Sequence, residues 1–412
     1  MKLLHAADLH LDSPMRGLER YEGAPLEAMR LATRRALENL IECCLAEEVR
    51  LLLLAGDLFD GEWKDYSTGL FFAQQMTRLR QGGVEVVLVR GNHDAASQIE
   101  RHLEHPSNVR ELSTRRAESV VYEELGIAVH GQSYGKRAVT EDLAAGYPDA
   151  LDGVFNIGLL HTCAGGREGH EPYAPCSVET LASKGYDYWA LGHVHQREVL
   201  LRDPWIVFPG NLQGRHAREI GSKGATLITL RDGRIGDVAH RALDAARWSL
   251  AEVDLSEAES GYDAVDLVRA KLEEELLLAE GRPLAVRLRL VGSSAAHGAL
   301  VDDPERWESA IRAAASDVGE VWIEKIEIAT EPSFLLEELS AREDAIGQVA
   351  RSLSLHAGEV GAFIDDLAEL RRKLPREVRE DRGLRLDDPA VVRDALVDAQ
   401  QLLLARLQGR SA

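Results

Sequence analysis

The chain has 412 residues, 45% hydrophobic and 28% charged, which fits two or three domains with packed apolar cores. Its formal net charge of −21 speaks against a generally basic nucleic-acid binder, although acids that hold cations would not count towards that balance. No apolar run reaches the roughly 18 residues of a membrane span, the opening MKLLHAADLHLDSP is broken by His5, Asp8 and His10 and so is not read as a signal peptide, and four cysteines without a CxxC pair suggest reduced thiols in a cytoplasmic protein.

In chain order, Lys2–Ala7 reads as a strand, Leu26–Glu48 as a long amphipathic helix and Arg50–Ala55 as a buried strand. Ser67–Arg80 follows as a helix and Val84–Arg90 as another buried strand, which is an α/β rhythm. After residue 115 the elements become short strands with turns between. They are Ser119–Tyr122, Ile127–Gly131, Val154–Leu160, Tyr188–Leu191, Glu198–Leu201, Trp205–Phe208, Ala225–Leu230 and Ile235–Ala242. Mixed sheets are expected from such a series rather than one parallel sheet. Near residue 246 the order resets to a small βαβαβ unit: Arg247–Leu255, Ala264–Ala279, Leu284–Val291, Pro304–Ala315 and Val321–Ala329. Beyond Pro332 only helix signals remain, at Phe334–Leu353, His356–Lys373 and Pro389–Leu407. Three domains are therefore expected, at 1–245, 246–331 and 332–412.

Five stretches place metal-capable side chains where a predicted strand ends: Asp8-Leu9-His10, Gly56-Asp57-Leu58-Phe59-Asp60, Gly91-Asn92-His93-Asp94, His161 and Gly192-His193-Val194-His195. Residues two apart in extended chain point to one side, so Asp8 with His10, and His193 with His195, can face one site. Carboxylate, imidazole and amide oxygen without thiolate suit manganese, iron or zinc in a catalytic role, and the ligands suffice for two ions with a carboxylate between them. Two such ions form the usual clamp for phosphate-ester hydrolysis. What remains is to protonate the leaving oxygen, and His93 beside Asp94 fits that task.

The ordered set DxH, GDxxD, GNHD, H and GHxH resembles that of the calcineurin-like metallophosphoesterases. The stretches HAADLHLDSP, LAGDLFDG, LVRGNHD, GLLHT, EPYAPCS, YDYWALGHVH and FPGNLQGRH bring it nearer to the SbcD-type DNA repair exonucleases, above all their YhaO-like bacterial members. The resemblance spans residues 1–245; the βαβαβ unit resembles the family's capping domain more loosely, and the tail only in being helical. It implies a four-layer αββα sandwich of mixed sheets, followed by a small α+β capping domain that selects DNA ends and a helical C-terminal region. It also implies two manganese ions, one held by Asp8, His10, Asp57 and His195 and the other by Asp57, Asn92, His161 and His193, with Asp57 bridging. His93 would be the general acid or a phosphate-stabilising histidine, Asp94 its orienting partner, and the activity that of a DNA exonuclease with some endonuclease action. Asp60 stands where archaeal and eukaryotic relatives carry a histidine, as in the bacterial branch. Family members work as two nuclease subunits with two coiled-coil ATPases of the SbcC or YhaN type. This chain has no GxxxxGK[ST], so an ATPase would have to be a partner docked on the terminal helices.

Other readings stand beside these. Asp94 could cap a helix beginning near Ala95, orient His93, or do both, and Asp60 reads as structural or as supporting the site from behind rather than as catalytic. Arg215 or His216 could touch a phosphate or belong to a turn, and residues 165–170 could admit substrate or form a surface loop. Cys163 lies two residues past a ligand, with nothing further to suggest coordination. Glu273, Glu274 and Glu275 read as a solvated helix face. A phosphoesterase for a nucleotide or cyclic nucleotide would need the same metals, and an architectural subunit of an ATPase complex would not need the chemistry at all.

Overall fold

The structure is a computed structural model that describes residues 1–13, 26–60, 66–96, 105–166, 173–333, 339–356, 360–375 and 385–396, together with positions 399 and 403. It divides into two compact units: Met1–Ser249 with Ala279–Val286, and Leu250–Leu278 with Arg287–Ala412.

The first unit holds two six-stranded mixed sheets. One carries β1 (Lys2–Ala6), β2 (Val49–Ala55), β3 (Glu85–Val89) and β4 (Val109–Glu111) in parallel, extended by β11 (Gly224–Arg231) antiparallel to β1 and by β12 (Arg234–Ala242) antiparallel to β11. The other carries β5 (Glu118–Tyr122), β6 (Ile127–Gly131), β7 (Phe155–His161), β8 (Tyr188–Gly192), β9 (Glu198–Arg202) and β10 (Trp205–Phe208) in the order β5-β6-β7-β8-β10-β9, with β6, β7, β8 and β10 parallel. Strand alternation sorts the apolar side chains into three cores. Leu4, Leu52, Leu54, Val86 and Leu88 pack against Leu37, Leu40, Ile41, Phe72 and Met76 of the helices α1 (Leu26–Ala46) and α2 (Tyr66–Gln81). Leu3, Leu51, Leu53, Val87 and Val89 point the other way and meet Ile127, Val129, Ile157, Leu159 and Val207 of the second sheet. Leu160, Trp189, Leu191 and Ile206 then pack beneath Ala144 and Leu181 on the far side, the latter from the short helix α4 (Val178–Ala182). The result is a four-layer αββα sandwich. Because the inner strands are covered on both faces, they read as continuous apolar runs rather than alternating ones.

The expected strands are present within a residue or two. The edge strand β4 has no counterpart in the sequence reading. It is three residues long and half-buried, too short for an alternating pattern to stand out.

In the remainder of the chain, β13 (Arg247–Asp254), β14 (Leu284–Val291) and β16 (Val321–Ile328) form a three-stranded sheet, with α5 (Gly261–Leu278) and α7 (Pro304–Val318) between them in sequence. This is the expected βαβαβ order. A two-residue pair of strands, β15 (Ser293–Ser294) with β17 (Glu331–Pro332), and a short helix α6 (His297–Asp302) are additions to it. Asp303 caps α7 by accepting from Arg306 N, Pro304 occupies its first turn, and Trp307, Ile311, Ala314 and Ala315 line its buried stripe.

The C-terminal helices are shorter than expected. Within Phe334–Leu353, residues 334–338 lie outside the described residues, and a helix α8 begins only at Ala345 (Ala345–His356), capped by Asp344, whose carboxylate accepts from Gly347 N at 2.9 Å. The span His356–Lys373 contains two helices, α9 (Val360–Asp366) and α10 (Ala368–Lys373). Of Pro389–Leu407, residues 389–396 are helical and most of the rest lies outside the described residues. Among the described residues no helix is long and apolar enough to cross a membrane. All four cysteines are free thiols.

Candidate metal centre

β1, β2 and β3 of the first sheet and β7 and β8 of the second end beside one another, and the chain leaving each is tied to its neighbour. Asp8 N donates to Gly56 O and His10 N to Asp57 O, each at 3.0 Å. This turn-out forces unusual backbone on functional side chains: Asp8 (φ 52°), His10 (φ 43°), Asp57 (φ 52°) and His193 (φ 102°) all have positive φ. Such conformations are disfavoured for residues with a Cβ and persist only where the surroundings impose them. Two glycines explain the spacing of the motifs. A Cβ on Gly91 would lie 2.2 Å from Asp57 Oδ1, and one on Gly192 would lie 1.9 Å from Ala55 O.

The side chains converge. Potential ligand atoms of Asp8, His10 and His195 lie within 4.8 Å of one another, as do those of Asp8, Asp57 and His161, and those of His10, Asp60 and His93. His10 Nε2 faces His195 Nε2 at 3.2 Å. His161 Nδ1 donates to Ala55 O at 2.9 Å, which leaves the Nε2 lone pair facing inwards, 3.5 Å from Asp57 Oδ2 and 3.0 Å from Asn92 Oδ1. The His193 ring packs edge-on to that of His161 with centroids 5.2 Å apart, and its backbone N–H donates to both oxygens of Asp8. All seven residues read as ligands thus stand at this edge.

The electrostatics is that of a site short of positive charge. Burial, and then the neighbouring carboxylate of Asp57, pushes Asp8 well above the usual carboxylate range; burial raises Asp57 as well. Burial likewise holds the imidazoles neutral: His161 falls to about 3, His10 falls well below its ordinary value, and His195 is lowered against the pull of Glu219. His10 Nδ1 is buried without a hydrogen-bond partner.

The pairing of His93 differs from expectation. Its Nδ1 lies 2.7 Å from Asp60 Oδ1, not against Asp94. Asp94 instead accepts from Phe59 N and Gly91 N, both at 3.0 Å, and braces the loops that carry Asp57 and Asn92. The helix α3 (Asn92–Ala96) starts at Asn92, so the carboxylate of Asp94 is already turned back along the chain towards Gly91. Burial and the charge of Asp57 raise Asp94 to about 7. Burial opposes ionisation of Asp60, but hydrogen bonds from His93 and Ser13 outweigh it and hold its carboxyl at about 2. The charged partner of His93 is therefore Asp60, which the sequence leaves as a structural residue or one that supports the site from behind.

Glu219 was missed altogether. It accepts from His195 Nδ1 at 2.6 Å and is 6% exposed. Nothing in its sequence context marks it; the stretch Gly210–His216 three residues earlier is the nearest signal. Arg215 lies inside the site, with Nη2 3.3 Å from Glu219 Oε1 and Nη1 3.7 Å from Asp60 Oδ2. His216 is mostly exposed, 3.5 Å from Glu219. Of the glycine-rich loop, Gly165 and Gly166 have positive φ, and residues 167–170 lie outside the described residues. Cys163 is buried and belongs to none of the metal-capable groups found among the described residues.

Comparison with known proteins points the same way. Residues 1–197 match the calcineurin-like phosphoesterase family model, and residues 248–331 match the model of the middle domain of metallophosphoesterase YhaO. The uncharacterized metallophosphoesterase YhaO of Bacillus subtilis is 37% identical over 298 residues, covering 71% of this chain and 72% of that protein. The DNA double-strand break repair protein Mre11 of Methanopyrus kandleri is 29% identical over 51% of this chain and 48% of its own length. The SbcD component of the nuclease SbcCD from Rhodobacter capsulatus is 36% identical over a shorter stretch, 24% of this chain and 23% of its own.

Proposed function

Because the chain belongs to the calcineurin-like metallophosphoesterases, and within them to the YhaO-like members, we propose that it is a manganese-dependent phosphodiesterase that cuts DNA, chiefly from ends. The observation that carries the metal reading is the burial of two carboxylates, Asp8 and Asp57, among imidazoles that burial holds neutral, with ligand atoms of Asp8, His10 and His195, and of Asp8, Asp57 and His161, within 4.8 Å of one another. Like charges buried together are costly unless a cation joins them, so the donor set fits divalent ions. Asp8, His10, Asp57 and His195 would hold one, and Asp57, Asn92, His161 and His193 the other. Oxygen and imidazole donors without thiolate suit manganese, iron or zinc, and manganese among them is what the resemblance to the SbcD-type nucleases implies. When bound, such a pair activates water and withdraws charge from phosphate oxygens.

The chain's own residues supply the rest. His93 is a third exposed and can reach a substrate while Asp60 holds its Nδ1 proton. That leaves Nε2 to give a proton to the departing sugar oxygen. Burial works against the charged imidazole, but the bond to Asp60 and the charge of Asp57 prevail and raise its pKa, as an acid requires. Asp94 keeps the two ligand-bearing loops in register.

The DNA assignment draws support from the likeness to proteins named for double-strand break repair and to a component of a named nuclease. Residues 246–331 would then cap the site and select ends. The helices of 332–412 would dock a coiled-coil ATPase of the SbcC or YhaN type, in a cytoplasmic assembly built on a homodimer. A net charge of −21 favours a second reading, a small phosphodiester as substrate. End-labelled linear duplex and a chromogenic phosphodiester, each incubated with manganese and with wild type or His93→Asn, separate the two. Manganese-dependent loss of the duplex that His93→Asn lacks supports the DNA reading. Cleavage of the small diester alone assigns the enzyme to the second.

A further inference from the structure

Glu219 gathers hydrogen-bond donors from His195, Arg215 and Asn211 onto its two oxygens, with His216 Nε2 3.5 Å away. His195 Nδ1 at 2.6 Å and Arg215 Nη2 at 3.3 Å approach Oε1; Asn211 Nδ2 at 2.9 Å and Arg215 N at 2.8 Å approach Oε2. Asn211 is fully buried and also donates to Gln213 O, so the carboxylate is clamped from beneath. On the other side, Arg215 reaches Ser13 Oγ at 3.4 Å and Asp60 Oδ2 at 3.7 Å, and Asp60 holds His93. A continuous polar chain thus runs His195, Glu219, Arg215, Asp60, His93.

We propose that Glu219 is a positioning residue that sets both sides of the site from one carboxylate. Towards His195 it selects the tautomer with the proton on Nδ1, so that the Nε2 lone pair points at Asp8 and His10. A carboxylate behind a ligating imidazole fixes its ring and raises its basicity. Towards His93 it anchors the guanidinium that steadies Asp60. A glutamine would do neither job well. Donors approach both oxygens, so its amide N–H₂ must face a donor whichever way it turns.

The inference rests on His195 being a metal ligand, so the test reads metal binding rather than turnover. Metal-free protein is titrated with Mn²⁺, and free Mn²⁺ is followed by electron paramagnetic resonance. Wild type should bind two ions. Glu219→Gln should bind one of them about 10–100-fold more weakly and the other nearly as before. Glu219→Asp, which keeps the charge on a shorter stem, should lose less. In a His195→Gln background, Glu219→Gln should add nothing, because its effect passes through that ring. A purely structural role would instead weaken both ions and add to the His195 change. Equal affinity in wild type and Glu219→Gln, or additive losses, overturns the proposal. If Glu219→Gln does not fold, the same comparison is made with Glu219→Asp, where affinity equal to wild type overturns it. A wild-type protein that takes up no Mn²⁺ removes the metal reading and this inference together, and is told apart by failing before any substitution is made.

Discussion

His5 and His10, one within β1 and the other just past its end, are five residues apart, and both are fully buried. His5 sits within β1, and both its ring nitrogens are matched, by Tyr188 Oη at 3.0 Å and Leu191 O at 3.1 Å. His10 lies past the strand end, with Nδ1 unpartnered and Nε2 facing another imidazole nitrogen. The first is a finished piece of core. The second is left incomplete by the protein, and its backbone is held at positive φ to keep it so. Buried polar groups are normally satisfied, so an unsatisfied one at a strand end is informative where a buried histidine by itself is not.

The largest effects should come from removing charge at the incomplete end. Asp57→Asn should abolish uptake of both manganese ions and lower phosphodiester turnover by at least about 10³-fold. The same change should raise the melting temperature of the metal-free protein, because it relieves repulsion between buried carboxylates that only a cation offsets. A metal-free variant that melts below wild type would show that Asp8 and Asp57 are not in conflict.

Next come the two acids that compete as partners of His93. Asp60→Asn should cost about 10–100-fold in turnover with manganese stoichiometry intact, since it removes the charge that favours the protonated imidazole. Asp94→Asn should leave turnover per folded molecule much closer to wild type while lowering stability, because it disturbs the brace between Gly91 and Phe59. The reverse ranking would restore Asp94 as the orienting residue.

His5 gives a smaller and pH-dependent effect. Burial lowers its pKa to about 3, below the ordinary 6.5. Above about 6.5 the ring is neutral in both folded and unfolded chains and its contribution is fully present. Below that, the unfolded chain takes up a proton that the folded chain refuses, so stability falls by up to ~1.4 kcal/mol per pH unit until about pH 3. Thermal melts of the metal-free protein between pH 7 and 4 should therefore decline less steeply in His5→Gln than in wild type; parallel declines would mean that His5 is protonated without cost. Smallest of all, Arg289→Ala, at an exposed ion pair with Glu252 3.5 Å away, should change stability by no more than ~0.5 kcal/mol in urea melts.

Residue order alone determined much of this protein. Apolar runs located the inner strands, and the metal-capable side chains following them located the cluster at their ends, because a strand that must be buried can place polar groups only where it ends. The edge strand β4 carried no such pattern, and within the helix expected over Phe334–Leu353 a new helix starts at Ala345, capped by Asp344, which accepts from Gly347 N. Only the tertiary structure decided which acid serves which histidine. Asp94 is adjacent to His93 in sequence, yet its carboxylate folds back to two backbone N–H groups, and Asp60 arrives from another strand end. Glu219 reaches His195 from 24 residues away. Partners of this kind are set by where loops from different strands meet, and no period or spacing along one chain encodes that meeting.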